Sequence, residues 1–309
     1  MDARGCRDRP RRHQPQNPQE QAVTTIKTRR ARPRKRFASR VAAVLAIAAF
    51  ALYALLSVYP FLTMVSGSLK TNTEVLTNPW PIPINPTFDT LVDTWNALDF
   101  PTLLVNSLII AGLSCLLILI IFPLAGYAFA VLDFPFKRVL FAIFVGALFV
   151  PGVTVLLPIV ILDQQLGLLG TPWAVVLPIV NGAAPIAIIL LRAYFSSIPY
   201  ELHEAAVLDG CSPFGIYWRV YFPLSRSALI TVTVLNFVAA WNEYVLPALT
   251  NDDPSRYPLP VGLQALLSSN VVQWNQVMAA SLLIVVPIIV LFVVLQRYFI
   301  NGLQGSVKG

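Results

Sequence analysis

The stretch FPTLLVNSLIIAGLSCLLILIIFPLAGYAFAVL, Phe100 to Leu132, runs for 33 residues without one charged side chain. About 20 apolar residues in a helix cross the roughly 30 Å hydrocarbon layer of a bilayer, so this segment is long enough to span with residues to spare. The rest of the chain agrees. Of 309 residues 56% are apolar and only 12% charged, and the mean hydropathy is +0.68. That is too few charges to coat a soluble globule of this size. The fold class predicted is therefore an all-α integral membrane protein.

Toward the N-terminus, Lys70 to Asp99 is polar and acidic, punctuated by Pro79, Pro81, Pro83 and Pro86, and reads as an extended loop outside the bilayer. Val41 to Leu69 is charge-free until its end and forms the first span. A cleaved signal peptide is the rival, but its apolar region is about 7 to 15 residues behind a short basic stretch. Here the basic stretch is 40 residues long. Residues 1–40 hold almost no large apolar side chains and read as a disordered tail. Its run Arg29, Arg30, Arg32, Arg34, Lys35 and Arg36 suits nucleic acid or anionic lipid; the simpler reading is a charge block that keeps the N-terminus in the cytoplasm.

Toward the C-terminus, further charge-free runs occupy Val139 to Leu162, Gln164 to Leu191, Ser227 to Asn242, and Tyr257 to Gln296, of which Val277 to Leu295 crosses. That makes six transmembrane helices, with Pro123, Pro151, Pro158, Pro178, Pro185 and Pro287 inside them. With the N-terminus inside, six crossings put 20 of the 22 Lys and Arg on the inner side and leave only Lys70 and Arg256 outside. The positive-inside bias thus predicts N and C termini both cytoplasmic.

Catalytic chemistry finds little support. The two histidines, His13 and His203, belong to no metal or nucleophile constellation, and no Gly-Lys pair exists to make a Walker A phosphate loop. Cys6, Cys115 and Cys211 have neither the number nor the spacing of a disulfide framework or zinc site. An ion-coupled carrier needs ionisable groups near the membrane midplane, and Glu243 is the candidate. It lies 15 residues beyond Ala228, about 22 Å along a helix. That places it toward the outer end, either on a transport path or gate, or as an interface residue bonded to neighbouring helices.

The polar segment Ser196 to Arg226 is the most informative. Pro199 starts a helix on which Glu201, Glu204 and Leu208 share one side, and Gly210 suits the left-handed residue that ends it. Ser212 is placed to cap a second short helix with Pro213 at its first position, until Pro223 stops it. The product is an elbow on the inner face. Ala205 and Ala206 permit close approach of another surface, and Glu204 and Asp209 offer partners to an Arg or Lys. Alternatively the elbow lies on lipid, anchored by Tyr217, Trp218, Tyr221 and Phe222.

Glu204-Ala205-Ala206, three residues, Gly210, nine residues, then Val220-x-Phe222-Pro223 resembles the EAA motif of ABC-importer permeases, E-A-A-x3-G-x9-I-x-L-P. Val for Ile and Phe for Leu are apolar exchanges. Over residues 41–309 the chain is similar to the maltose-type carbohydrate-uptake permeases of binding-protein-dependent transport systems. The supporting stretches are Ser68-Leu69-Lys70-Thr71, Asn106-Ser107-Leu108, Ala125-Gly126-Tyr127-Ala128, Trp241-Asn242-Glu243, the ending Gln296 to Gly302 and Val307-Lys308-Gly309.

The resemblance implies a six-span type I ABC importer (MetI-like) permease fold, with a core over about 102–297 and the EAA coupling loop at 196–226. It implies a permease subunit in the inner membrane of a prokaryote, forming part of the translocation path for a sugar or related solute. The partners implied are a second, different permease, an ATPase dimer and an extracytoplasmic solute-binding protein. This chain would bind no cofactor; ATP and Mg would be used by the ATPase. Glu204, Ala205, Ala206, Asp209, Gly210 and Pro223 would couple to that ATPase, and the tail with Asn301, Gly302 and Lys308 would reach its interface. The competing functions are an ion-coupled secondary carrier or channel, and a membrane scaffold that binds a cytoplasmic partner.

Overall fold

A computed structural model describes the backbone of residues 34–305 and the side chains of residues 42–294. Helix α1 (Arg34–Ser68) opens it. The seven residues from Arg34 to Arg40, expected in the disordered tail, are helical. Arg, Lys and Ala are good helix formers, and a turn added to an existing apolar helix bears no nucleation cost. Residues 1–33 of the expected tail lie outside the described residues. Two units are distinguished, Met1–Ser57 and Val58–Gly309. Within the first, Ala42 to Leu56 present exposed apolar side chains, as a lipid-facing span does.

The second unit holds the remaining elements. The segment from Lys70 to Asp99 is not uniformly extended, since it contains α2 (Asn72–Thr77) and α3 (Asp89–Ala97). Thr71 accepts a hydrogen bond from the Glu74 amide and caps α2; the prolines confine themselves to the connection between the two helices. Helix α4 (Phe100–Val131) is followed by α5 (Lys137–Ala147), α6 (Gly152–Gln165) and α7 (Trp173–Ser196). The elbow comprises α8 (Tyr200–Leu208), α9 (Pro213–Ile216), a π-helical turn Tyr217–Tyr221 and α10 (Phe222–Leu224). Then come α11 (Arg226–Trp241), α12 (Val245–Thr250), a 3-10 turn at Pro254–Arg256, α13 (Leu259–Leu267) and α14 (Trp274–Gly305).

Among the described residues, four helices are long and apolar enough to cross a membrane singly: Ala42–Ser68, Phe100–Val131, Trp173–Ser196 and Trp274–Val294. The third expected span is not one straight helix. It breaks into α5 and α6, which meet at 101°. Pro151 lacks an amide proton and its ring pushes Val150 out of helical geometry, so the turn Leu148 to Pro151 interrupts an otherwise apolar run. The fifth, Ser227 to Asn242, is α11 alone, 16 residues long, and passes the length of a span only together with the elbow segment Pro213–Leu224, which meets it at 75°. Counting each bent pair once gives six.

Helices α4 and α7 pack along each other more extensively than any other pair, with α11 against α4 next. They run parallel. Asn106 and Ile109, near the start of α4, line one cavity with Thr171 and Pro172 at the start of α7, while Tyr127 and Phe195 meet near their ends at 6.3 Å between ring centroids. The close approach is made at Gly126, where an added Cβ would fall 2.7 Å from Leu191 Cβ; small residues at such a crossing let backbones meet without lipid between them. The α5–α6 pair therefore returns from one end of the bundle to the other, with Lys137 beside Arg192 at its start and Gly170, past its end, bonded to Thr250.

Candidate functional site

The elbow is built by local chain chemistry. Ala206 and Val207 carbonyls accept from the amides of Cys211 and Gly210, each at 3.0 Å, the crossed pair of bonds that ends a helix on a left-handed residue. Gly210 is that residue, at φ +77° with no other atom within 4 Å of where a Cβ would stand. Ser212 accepts from the Gly215 amide at 3.2 Å and starts α9, with Pro213 next.

Of the expected coupling residues, Glu204, Ala205, Asp209 and Gly210 are exposed together at the tip, beside Leu208, which is 87% exposed. Ala206 is not on that face. It is buried in the same apolar cluster as Ile216, Tyr217 and Tyr221, so its small size serves the elbow's own packing. Pro223 does not stop the second helix either. The helical path widens into the π turn Tyr217–Tyr221, with the Phe222 amide bonded to Tyr217 oxygen, and continues through Pro223 to Leu224. A proline ring collides with the carbonyl four residues back, and a widened turn makes room for it. The chain bends instead at Ser225.

Beneath the tip lies an aromatic base that residue-by-residue reading missed. Tyr127 of α4 stands 5.3 Å from Tyr217 and 5.0 Å from Tyr221 between ring centroids, and Phe195 of α7 lies 5.9 Å from Tyr221. The Tyr127 hydroxyl donates to the Pro213 carbonyl at 3.0 Å. His203 stacks on Tyr200 at 5.1 Å and meets Tyr221 edge-on. Tyr217, Tyr221 and Phe195 are each 1% exposed, so the elbow is keyed into the ends of α4 and α7.

At the opposite end of the bundle the stretches around Lys70, Asn106-Ser107 and Trp241 act as fasteners. Lys70 donates to the carbonyls of Asn78 and Trp80, at 3.0 and 2.6 Å, and its own carbonyl accepts from Thr90 at 3.1 Å. Asn106 donates to the carbonyls of Ser255 and Tyr257, and Ser107 accepts from the Leu259 amide. Trp241, buried, donates to Ile284 oxygen at 3.2 Å and ties α11 to α14. Asp253 accepts from the side chain and backbone of Ser255, which hold its carboxyl below the ordinary aspartate value.

Glu243 sits where α11 ends, half-buried, one residue before the N-cap Tyr244 of α12, and its Oε1 accepts at 3.0 Å from the Leu246 amide, a first-turn donor left free by the helix. Asp163 is an acidic group that the sequence reading placed between spans and passed over. It is 4% exposed near the end of α6, and its Oδ2 accepts no hydrogen bond among the described residues. Its signal was position: it is the one charge separating two apolar runs. Helix α14 carries through Asn301 and Gly302 to Gly305; Lys308 lies outside the described residues.

Comparison with known proteins gives a consistent result. The family described as "Binding-protein-dependent transport system inner membrane component" matches residues 122–304. The chain is 33% identical over 252 residues to the "Probable ABC transporter permease protein YurM" of Bacillus subtilis, covering 81% of this chain and 84% of that one. It is 32% identical over 280 residues to the "Arabinooligosaccharides transport system permease protein AraQ" of Halalkalibacterium halodurans, covering 89% of this chain and all of the other. Among solved structures, a bacterial ABC transporter involved in the import of the acidic polysaccharide alginate matches with a TM-score of 0.73 and 25% identity, over 85% of this chain and 98% of that one.

Proposed function

This chain belongs to the family of inner membrane components of binding-protein-dependent transport systems, and we propose that it is one permease of a sugar importer driven by a separate ATPase. It lines part of the path for a carbohydrate or related solute delivered by an extracytoplasmic binding protein, pairs with a second, different permease, and performs no chemistry itself. Relatives named for arabinooligosaccharide and lactose transport support the solute class. ATP and its Mg are handled by the ATPase dimer. Lys137, Arg138, Arg192, Arg219 and Arg226 lie toward the elbow end and Lys70 and Arg256 toward the other, which supports a cytoplasmic elbow and cytoplasmic termini. The permease core spans about 102–297 and the coupling loop 196–226.

The observation that carries this reading is the elbow itself: an exposed tip of Glu204, Ala205 and Val207 to Gly210 on a buried aromatic base. A protruding tip with Leu208 bare to solvent suits a cleft on a partner, and the base suits transmission of that partner's movement to α4 and α7. The mechanism is alternating access. ATP-driven closure of the ATPase dimer moves the seated elbow, the spans rotate with it as rigid bodies, and the path opens outward; hydrolysis restores the inward state. Coupling requires that the elbow's contacts differ in energy between the two states.

Gly210 tests it. A residue with a Cβ in the left-handed region costs about 1–2 kcal/mol, more when β-branched. Gly210→Val is expected to insert normally but lose ATPase association and uptake, while Gly210→Asn, which tolerates the left-handed region, retains both in large part. Uptake at the normal rate by Gly210→Val, with the ATPase still bound, contradicts the assignment.

A further inference from the structure

At the elbow end of the bundle, but on different elements, lies a second feature that the transport reading leaves unused. Phe129, Asp133, Lys137, Arg138, Phe141 and Arg192 line a cavity of about 350 Å³, and a second cavity adjoins it through Asp133, Lys137 and Arg138. Three cations face one carboxylate. Arg192 is held in place: its Nε donates to Phe129 oxygen at 3.3 Å, and its guanidinium lies 3.9 Å above the Phe141 ring. Lys137 donates to Leu132 oxygen at 2.6 Å, and Asp133 stands 3.5 Å from its ammonium. Arg138 is exposed and, among the described residues, pairs with no carboxylate.

The cations border an apolar strip. Phe136 is 76% exposed, Ile143 is 61% exposed, and Val139 and Leu140 are exposed between them along α5. Phe136 also holds a left-handed backbone, φ +61°, a conformation strained for a residue with a Cβ. An aromatic ring kept exposed in that conformation at the foot of a membrane helix fits the boundary between headgroups and acyl chains. Basic pockets between helices on the cytoplasmic side, flanked by apolar surface, match lipids that carry a phosphate at that depth.

We propose that this cavity is a binding site for the headgroup of an anionic phospholipid. Arg138 and Lys137 contact the phosphate from α5, Arg192 fixes the far wall from α7, and the acyl chains run along Phe136, Val139 and Ile143. Arg192 presents planar donors suited to phosphate oxygens, and the lipid joins α5 to α7 at the entrance of the bent third span. The site is independent of what the elbow docks.

Native mass spectrometry of the full chain in detergent tests the proposal, with dioleoylphosphatidylglycerol and dioleoylphosphatidylcholine as the probes. Phosphatidylglycerol is expected to be retained at least about tenfold more tightly. At a contribution of about 1 kcal/mol per cation, Arg138→Gln lowers that affinity about fivefold. Asp133→Asn moves it severalfold the other way, and neither exposed position endangers folding. Millimolar inorganic phosphate leaves the lipid bound. Equal retention of the two lipids, or no change in either variant, overturns the proposal. Displacement of the lipid by phosphate also overturns it, in favour of a small-anion site.

Discussion

Glu243 and Gly210 show how differently a side chain and a missing side chain are read. Gly210 was legible because its task is local: a helix ending in Asp209-Gly210 before Ser212-Pro213 spells a left-handed stop followed by a capped restart, and the backbone follows it. Glu243 was legible as an isolated acid in an apolar run, but its partner, the Leu246 amide, appears only when the chain breaks between α11 and α12. That contact gives it a local partner in the first turn of α12. Glu243→Gln keeps an acceptor oxygen and is expected to leave uptake nearly normal, while Glu243→Ala loses the hydrogen bond and about 1 kcal/mol of stability. Thermal melting and uptake of both variants check this; abolished uptake with an unchanged melting point in Glu243→Gln points to a path role instead. Ala206 was placed on the docking face by its small size and by the motif, and burial in its own cluster shows why a small residue can serve packing within the elbow as well as contact outside it.

At the scale of elements, hydrophobic runs revealed where the membrane helices lie but not their shape. A run such as Val139 to Leu162 reads the same whether straight or folded at Pro151, since lipid and protein interior are equally apolar. The aromatic base was hidden for another reason. Tyr127, Phe195, Tyr217 and Tyr221 come from three separate segments, and no local period links them. The base makes a prediction about the elbow. Tyr127→Phe removes the donor to Pro213 oxygen, worth about 1 kcal/mol. Hydrogen exchange at the amides of Tyr217 to Tyr221 should then quicken severalfold while the middle of α4 is unchanged. Equal exchange in both proteins means that the elbow is not held to α4 by this contact.

For the molecule as a whole, the charge distribution and the absence of phosphate-binding or catalytic motifs were legible in the sequence, because both are sums over the chain and need no geometry. The loops from Lys70 to Asp99 and from Asn251 to Ser255 were not, because their hydrogen bonds reach across 20 to 200 residues, as in Thr90 to Lys70 and Trp274 to Asn72. Those loops clamp the end of the bundle away from the elbow, so a push on the elbow meets a body fastened at its far side. In the proposed importer such a body would transmit movement supplied by the separate ATPase. The most direct measurement is solute uptake into proteoliposomes holding this chain and its sister permease, with binding protein and sugar outside. The account predicts no accumulation until the ATPase subunits and MgATP are supplied on the elbow side, and accumulation thereafter. Uptake by the permeases in the absence of the ATPase contradicts it.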